Sequence, residues 1–243
     1  MMERFTFATD LHGDMQDAAT VKAFFEFDAT WKPQIKVFGG DLVDLRPLRK
    51  GASQEDKCES LRADVEAGQS FLKRWKPNYF LRGNHDERLW ETAQSARDGV
   101  VADYAQRGCS EFDTLCARLK TKMLPYHKRD GVLRIGHLKM LHGFHMGVYA
   151  ARQTALVYGS ALFGHVHSID EHSIPGLERR VARSVGCLCK LSMDYNARQP
   201  NTLRQAHGWA YGLINTKTGV YHVWQAEEID GQWMLPTEVK AIG

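Results

Sequence analysis

The stretch IKVFGGDLVD, residues 35–44, decides how the chain folds. Its first four residues are mostly β-branched or aromatic, which is typical of a buried strand. Two glycines follow, and they permit a tight turn and a close approach of the backbone to a ligand. Asp41 and Asp44 come directly after this turn. The stretch therefore predicts a strand that delivers two carboxylates to one end of a sheet.

Four other short apolar runs end in the same way, in a residue that carries a polar side chain. They are FTFAT before Asp10, NYFLRG before Asn84, LKML before His142 and SALFG before His165. In open α/β sheets, ligands lie beyond the carboxyl ends of the strands. We therefore expect the five strand ends to converge on one site.

Between these runs, apolar residues recur at helical spacing. The segments that show this pattern are 17–27, 53–75 and 88–124. Strand patterns return in the last third of the chain, in 180–191, 209–215, 220–225 and 232–234. Alternating strands and helices predict an α/β fold of layers, in which mixed β-sheets are flanked by helices. We expect the late strands to be antiparallel.

The domain organisation follows from the length of the chain and from its connections. With 243 residues, 43% of them hydrophobic, the chain can bury one sizeable core. No Pro/Gly/Ser-rich linker divides it, so we expect a single domain, 1–243. The segments at about 45–76 and 87–122 are much longer than a minimal connection between strands. They are predicted as helical insertions and are candidates for a lid.

Charge and cysteine content exclude several classes of protein. Lysine and arginine number 32 and aspartate and glutamate 29, so the net charge of +3 does not indicate extended binding to a polyanion. The five cysteines include no CxxC pair, which argues against a disulfide framework and a zinc ribbon. Neither a signal peptide nor a bilayer-spanning apolar run is present. We expect a soluble cytoplasmic protein that does not bind membranes.

The five strand ends carry side chains that can ligate a metal. The groups are Asp10 with His12, Asp41 with Asp44, Asn84 with His85 and Asp86, His142 with His145, and His165 with His167. Each group alone is more often structural than functional, but their joint occurrence favours a metal site. Imidazoles, carboxylates and an amide without a thiolate favour Mn²⁺, Fe or Zn²⁺.

Taken in order, these motifs resemble the calcineurin-like metallophosphoesterase superfamily. The series is DLH at 10–12, GDLVD at 40–44, GNHD at 83–86, HG at 142–143 and GHVH at 164–167. It extends from Asp10 to His167, which is about two-thirds of the chain. The resemblance implies a layered metallophosphoesterase fold and a hydrolase that cleaves a phosphate ester by attack of a hydroxide bridging two metal ions.

The resemblance also assigns roles to residues. It implies that one ion is bound by Asp10, His12, Asp41 and His167, and the other by Asp41, Asn84, His142 and His165. Mn²⁺ is the ion most expected in vitro, with Fe or Zn²⁺ as alternatives. His85 is then the general acid that protonates the leaving group, and Asp44 is the carboxylate that orients His85.

Substrate selection depends on less specific signals. Arg46, Arg49 and Arg88 follow the motifs closely and are candidates for binding phosphate oxygens, although solvated charges at helix ends are the alternative. His145 is a candidate to line the pocket, with a structural role as the alternative.

The subclass is indicated by two departures from the protein serine/threonine phosphatases. Those enzymes have an arginine where this chain has Leu45, and they favour GNHE over GNHD. We therefore expect a phosphodiesterase that acts on a nucleotide or nucleic acid, with a phosphomonoesterase or protein phosphatase as the alternative. A catalytically silent binding scaffold is a third hypothesis, which the retained His85 and metal ligands disfavour.

Overall fold

A computed structural model describes residues 2–191, 200–233 and 235 of the chain. Within these residues there are twelve strands, which are β1 Met2–Ala8, β2 Ile35–Phe38, β3 Tyr79–Leu81, β4 Lys122–Leu124, β5 Leu133–Ile135, β6 Leu138–Leu141, β7 Ala161–Phe163, β8 Ile169–Ile174, β9 Arg180–Val185, β10 Gly208–Asn215, β11 Tyr221–Ile229 and β12 Gln232–Trp233. The same residues form six α-helices, which are α1 Ala18–Trp31, α2 Gln54–Cys58, α3 Leu61–Trp75, α4 Asn84–Ser95, α5 Gly99–Leu119 and α6 Ala150–Tyr158.

The strands form two mixed sheets. The first has seven strands in the order β12-β11-β10-β1-β2-β3-β4. Its strands from β1 to β4 are parallel, whereas β10, β11 and β12 are antiparallel to their neighbours. The second sheet has five strands in the order β5-β6-β7-β9-β8, and only β6, β7 and β9 are parallel. The mixed sheets and the late antiparallel strands confirm the predicted fold class.

Three buried clusters show how the layers are stacked. One cluster joins α1, α3 and α5 to the first sheet, through residues such as Phe24, Phe71 and Phe38. A second contains side chains of both sheets, including Phe7 and Met140. A third joins α6 to the second sheet. The order of layers is therefore helices, first sheet, second sheet, helix.

The helices that precede parallel strands of the first sheet end alike. In α1, α3 and α5 the residue after the helix is a lysine in the left-handed conformation, namely Lys32, Lys76 and Lys120. A residue in this conformation commonly ends a helix, because its backbone N–H can bond to a free carbonyl of the last turn. Each lysine turns the chain towards the next strand of the sheet.

The structure corrects the predicted element boundaries at several points. The pattern over 53–75 is two helices, because Ser60 caps the start of α3. The helical pattern over 88–124 is wrong at both ends, since α4 begins at Asn84 and residues 122–124 form β4. The same strand takes Lys122 out of the helical insertion predicted at 87–122. Strands β5 and β8 and helix α6 were not predicted.

The late strand patterns also agree with the structure where it describes them. Strands β9, β10, β11 and β12 overlap all four predicted segments, although Met234 of the last lies outside the described residues. Among the helices of the described residues, none is both long and apolar enough to cross a membrane.

Candidate metal centre

The site lies where five parallel strands end. Strands β1, β2 and β3 of the first sheet lead to Asp10 and His12, to Asp41 and to Asn84. Strands β6 and β7 of the second sheet lead to His142 and to His165 and His167. Parallel neighbours present their carboxyl ends at one edge of a sheet, so these seven side chains converge at the seam between the two sheets. The structure therefore brings together all seven residues expected to bind metal.

The backbone at this seam adopts an uncommon conformation. Asp10, His12, Asp41, His165 and His167 have φ angles of 56°, 53°, 51°, 70° and 54°. Residues other than glycine seldom have positive φ, and such strain persists where the surrounding structure holds it, often at functional sites. Half of the ten described non-glycine residues with positive φ are thus in this site.

Two glycines give the carboxylates room. A Cβ atom at Gly83 would overlap the carboxylate of Asp41, and one at Gly164 would overlap the carboxylate of Asp10. Neither glycine has a positive φ, so another residue could adopt its backbone conformation. Glycine is required at these two positions because there is no room for a side chain. The glycines of GNHD and GHVH therefore serve the close packing of the site.

One group of donor atoms surrounds His12. Its Nε2 lies 3.1 Å from Nε2 of His167, 3.8 Å from Asp41 Oδ2 and 4.0 Å from Asp10 Oδ1. Nδ1 of the same ring is 3.1 Å from Asp44 Oδ1, a carboxylate that can only accept, so in the neutral ring the proton lies on Nδ1. The lone pair of His12 Nε2 then faces other acceptors. This arrangement suits a cation better than a hydrogen bond.

A second group surrounds His142. Its Nδ1 lies 3.0 Å from the carbonyl oxygen of Gly39, to which it can only donate. Its Nε2 lies 3.2 Å from Asp41 Oδ2 and 3.0 Å from Asn84 Oδ1, and both of these atoms are also acceptors. His165 completes a set with Asp41 and His142 in which the donor atoms lie within 4.8 Å of one another. Asp41 therefore belongs to both groups.

The electrostatics of the site indicate a need for positive charge. Although burial opposes ionisation, the charges of His142 and His85 hold the pKa of Asp41 well below its usual value. Burial lowers the pKa of His142, but the carboxylate of Asp41 outweighs it and raises the pKa to about 9. For His167, burial is outweighed by Asp10, and the pKa is raised to about 10. The carboxylates of this site thus favour the positively charged forms of His142 and His167.

His165 behaves differently from the other two histidines. Burial and the neighbouring charge of His142 lower the pKa of His165 to about 4. Its imidazole is therefore neutral at physiological pH, which is the form that ligates a metal.

His85 and Asp44 form a close pair at the edge of the site. His85 Nδ1 lies 2.6 Å from Asp44 Oδ1, and His85 Nε2 lies 3.9 Å from Asp41 Oδ2. The side chain of His85 is 17% exposed, whereas those of Asp41 and Asp44 are each 2% exposed. Burial is outweighed by the hydrogen bonds of His12 and His85, which lower the pKa of Asp44. Its carboxylate is therefore ionised and can hold the Nδ1 proton of His85.

Two buried carboxylates shape the loop of residues 41–45, and sequence reasoning missed one of them, Asp64. Asp64 of α3 accepts hydrogen bonds from the backbone N–H groups of Leu45, at 2.6 Å, and Asp44, at 3.1 Å. Asp86 accepts from the N–H groups of Leu42, Val43 and Gly83. No local pattern marks Asp64, because its partners lie about twenty positions earlier in the chain.

The basic residues expected near the site have defined partners. Arg46 is 7% exposed, and its guanidinium contacts the carboxylates of Asp14, Asp44 and Glu59. The predicted contact of Arg46 with phosphate would require these ion pairs to rearrange. Arg49 donates to Asp56 Oδ2 at 2.6 Å and so points to α2.

Arg88 and His145 occupy different positions. Arg88 Nη1 donates to the carbonyl oxygen of Asp44 at 3.0 Å and lies 3.1 Å from His85 Nδ1. His85 Nδ1 is closer to the Asp44 carboxylate, at 2.6 Å, than to Arg88, so the Nδ1–H of His85 donates to that carboxylate. Arg88 therefore donates to the carbonyl oxygen of Asp44 rather than to His85. His145 is half-buried in the loop after β6, and it belongs to none of the groups of close donor atoms among the described residues.

Comparisons with known proteins agree with this geometry. The pattern of the calcineurin-like phosphoesterase family matches residues 3–168. No curated protein sequence matches the chain. Vacuolar protein sorting 29 from Cryptosporidium parvum is similar in structure, with a TM-score of 0.51 and 14% identity over 96% of this chain and 95% of that one. At such identity the likeness shows the fold alone.

Two further solved structures are more distant. A phosphoesterase from E. coli, Yfce, has a TM-score of 0.39 and 14% identity over 91% of this chain and 97% of its own. A phosphatase from Mycoplasma pneumoniae has a TM-score of 0.42 and 10% identity, with 95% of each chain covered.

Proposed function

The chain belongs to the calcineurin-like phosphoesterase family, and on this premise we propose that it hydrolyses phosphodiesters of nucleotides or nucleic acids with two divalent metal ions. Membership of the family makes it a metal-dependent phosphoric ester hydrolase. The number of ions, the residues that bind them and the class of ester are the parts that we propose.

The shared position of Asp41 carries the proposal of two ions. Two groups of donor atoms contain this carboxylate, one with Asp10 and His12 and the other with His142 and His165. When the rings are neutral, the Nε2 lone pairs of His12 and His142 face other acceptors, and a bound cation resolves this arrangement. We assign one ion to Asp10, His12, Asp41 and His167, and the other to Asp41, Asn84, His142 and His165.

The two ions and the protein divide the chemistry between them. When bound, a pair of divalent ions lowers the pKa of water, holds phosphoryl oxygens and neutralises the charge that develops during in-line displacement. His85 supplies the proton for the leaving oxygen from Nε2. Asp44 accepts a hydrogen bond from Nδ1–H of the same ring and so holds the imidazole with Nε2 directed at the site.

The preference for a diester rests on what the chain lacks relative to protein phosphatases. Leu45 is fully buried and stands where those enzymes place a phosphate-binding arginine. Arg46, the next residue, is held by Asp14 at 2.9 Å. Less positive charge near the phosphate suits a diester, which carries one negative charge fewer than a monoester dianion. Arg88 beside His85 favours a monoester instead, as does the stretch from Leu81 to His85, which resembles the corresponding stretch of the protein phosphatases.

Turnover of two simple esters tests the class of substrate. We expect protein reconstituted with Mn²⁺ to have a higher kcat/KM for bis-p-nitrophenyl phosphate than for p-nitrophenyl phosphate. Chelated protein and His85→Ala serve as controls. A preference for the monoester would replace the diesterase proposal with the monoesterase. Protein that holds two ions and turns over neither compound would favour a silent scaffold.

A further inference from the structure

Cys189 lies against one of the histidines assigned to the metal centre. Its Sγ is 3.7 Å from His167 Nδ1, and the residue is fully buried. On the other side of the same ring, His167 Nε2 lies 3.2 Å from Asp10 Oδ1 and 3.1 Å from His12 Nε2. The imidazole of His167 thus stands between a sulfur atom and the proposed metal ligands.

We propose that Cys189 is a positioning residue, which holds His167 in the orientation and tautomer that the metal centre requires. This inference rests on the proposed function. A neutral imidazole has one N–H, so a hydrogen bond from Nδ1–H to the sulfur leaves the Nε2 lone pair directed at the site. Metal-bound histidines usually give their second N–H to a carboxylate, a carbonyl or water. Here a buried thiol takes that position.

The backbone around the thiol is attached to the loop that carries Asp10. The N–H of Leu188 donates to the carbonyl oxygen of Asp10 at 3.1 Å, and the N–H of Lys190 donates to that of Met15 at 2.9 Å. Residues on both sides of Cys189 are therefore fixed to the strand exit that supplies two proposed ligands. Such a frame gives the sulfur little freedom to move away from His167.

A contact from the last third of the chain fixes the carbonyl group of Cys189. His207 Nε2 lies 3.1 Å from this oxygen. His207 Nδ1 is in turn 2.8 Å from Glu228 Oε2 on β11. The position of the thiol is therefore fixed by contacts with two separate parts of the chain, the loop after β1 and the segment before β10, as expected of a residue that must orient another.

Cys116 of α5 provides a matched control away from the site, whereas Cys187 does not, because its thiol hydrogen-bonds to the side chain of Cys189. Cys116 is also buried and packs in the cluster that joins α5 to the first sheet. It belongs to none of the groups of close metal-competent donors within the described residues. Replacing Cys116 or Cys189 by alanine removes one buried sulfur, so the two variants have a similar effect on packing and a different effect on His167.

Calorimetric titration of metal-free protein with Mn²⁺ tests the proposal without measuring turnover. We expect Cys189→Ala to weaken one of two binding events by about ten- to hundred-fold, which is the usual effect of removing an outer partner of a metal ligand. Cys116→Ala should bind both ions as the wild type does. Cys189→Ser should recover part of the loss, because a hydroxyl can accept the same hydrogen bond.

The protonation state of His167 gives a second readout in the wild type. In ¹⁵N-labelled protein loaded with Zn²⁺, we expect Nδ1 of His167 to carry a proton and Nε2 to be ligated. This measurement can be made even if Cys189→Ala does not fold. A deprotonated Nδ1, or a sulfur-to-metal charge-transfer band after loading with Co²⁺, would overturn the proposal, the latter because the sulfur would itself be a ligand.

The outcomes separate this inference from the proposed function. If the wild type binds two ions and both alanine variants bind them equally well, or lose affinity equally, only the role of Cys189 fails. If the wild type binds no ion, the proposed function fails together with the role of Cys189. Selective weakening of one ion in Cys189→Ala supports both.

Discussion

Asp41 and Asp10 differ in how many donor groups they join. Asp41 Oδ2 lies 3.2 Å from His142 Nε2 and 3.8 Å from His12 Nε2, and so contacts both sets of ligands. Asp10 lies near His12 and His167, which are assigned to the same single ion. We therefore expect Asp41→Asn to lose both metal ions and all activity, and Asp10→Asn to keep one ion. Metal content of the purified variants checks this. Near-wild-type turnover by Asp41→Asn would refute the assignment of two ions.

The pair of His85 and Asp44 leads to a prediction about leaving groups. His85→Ala should keep both ions, because its Nε2 is 3.9 Å from Asp41 and the residue is not an assigned ligand. The rate should fall by about 10²- to 10⁴-fold, the usual contribution of a positioned acid. Esters of p-nitrophenol should lose least, since this leaving group needs no proton.

Comparison of an alkyl ester with an aryl ester isolates the acid role of His85. His127→Ala is a suitable control, because His127 is half-exposed and pairs with Asp130, a residue of the same loop. An equal loss of rate on both esters in His85→Ala would argue against proton donation.

The raised pKa values of His142 and His167, about 9 and about 10, predict how metal binding depends on pH. At neutral pH both rings are therefore positively charged in the metal-free protein, with a proton on each nitrogen. Each ring must lose the proton on Nε2 before it can bind a metal ion. Affinity should therefore rise with pH up to about 9, by about tenfold per unit for each ion that displaces one proton. Calorimetry in buffers of different ionisation enthalpy measures the protons released. Binding that is independent of pH would contradict this prediction.

At the scale of elements, helix α3 is attached to the loop that carries Asp44. Asp64→Ala would leave the buried N–H groups of Asp44 and Leu45 without their acceptor, which costs about 1–3 kcal/mol for each group. We expect a lower free energy of unfolding, measured with urea, and a lower kcat, because Asp44 orients His85.

Glu66 on the same helix supplies the control for Asp64→Ala. It is 59% exposed and pairs with Arg62 across one turn, an ion pair that contributes little to stability. Glu66→Ala should therefore be close to wild type in both measurements. Equal effects of the two substitutions would contradict a specific role for Asp64.

Elements with a strong local pattern could be predicted from the sequence. The five strands that end in glycine or polar residues are present, because a buried apolar run followed by a turn residue specifies its own boundary. Strands β4 and β5 have three residues each, too few to show alternation. Helix α6 has no side-chain cap at its start, and the capping residue Ser60 interrupts a helical pattern that looked continuous.

The residues of the site also include some that the sequence predicts and some that it does not. Its expected ligands follow strands and occur in a fixed order, so the sequence indicates both their identity and their convergence. Asp64 and Cys189 carry no such signal. Asp64 and its partner Asp44 are separated by about twenty residues of chain, and so are Cys189 and His167. Only the packing of α3 and of the segment after β9 brings these side chains to the site.

At the scale of the molecule, the proposed metal centre lies on the seam between the two sheets. His12 and His167 face each other across it at 3.1 Å, and Asp41 faces His142 at 3.2 Å. One partner in each pair follows a strand of the first sheet and the other a strand of the second. Bound cations would thus connect the two sheets in addition to their chemical role.

This position predicts that metal ions stabilise the whole fold. A ligand at one hundred times its Kd adds about 2.7 kcal/mol to the free energy of unfolding, hence about 5 kcal/mol for two ions. In a chain of this size each kcal/mol raises Tm by about 2–4 °C, so saturation with Mn²⁺ should raise it by roughly 10–20 °C. Scanning calorimetry with Mn²⁺ or chelator measures the shift, and Asp41→Asn should abolish it. A shift in Tm that persists in that variant would mean that the stabilising ions bind elsewhere. If Mn²⁺ did not shift the Tm of the wild type, the metal centre would not stabilise the contact between the two sheets.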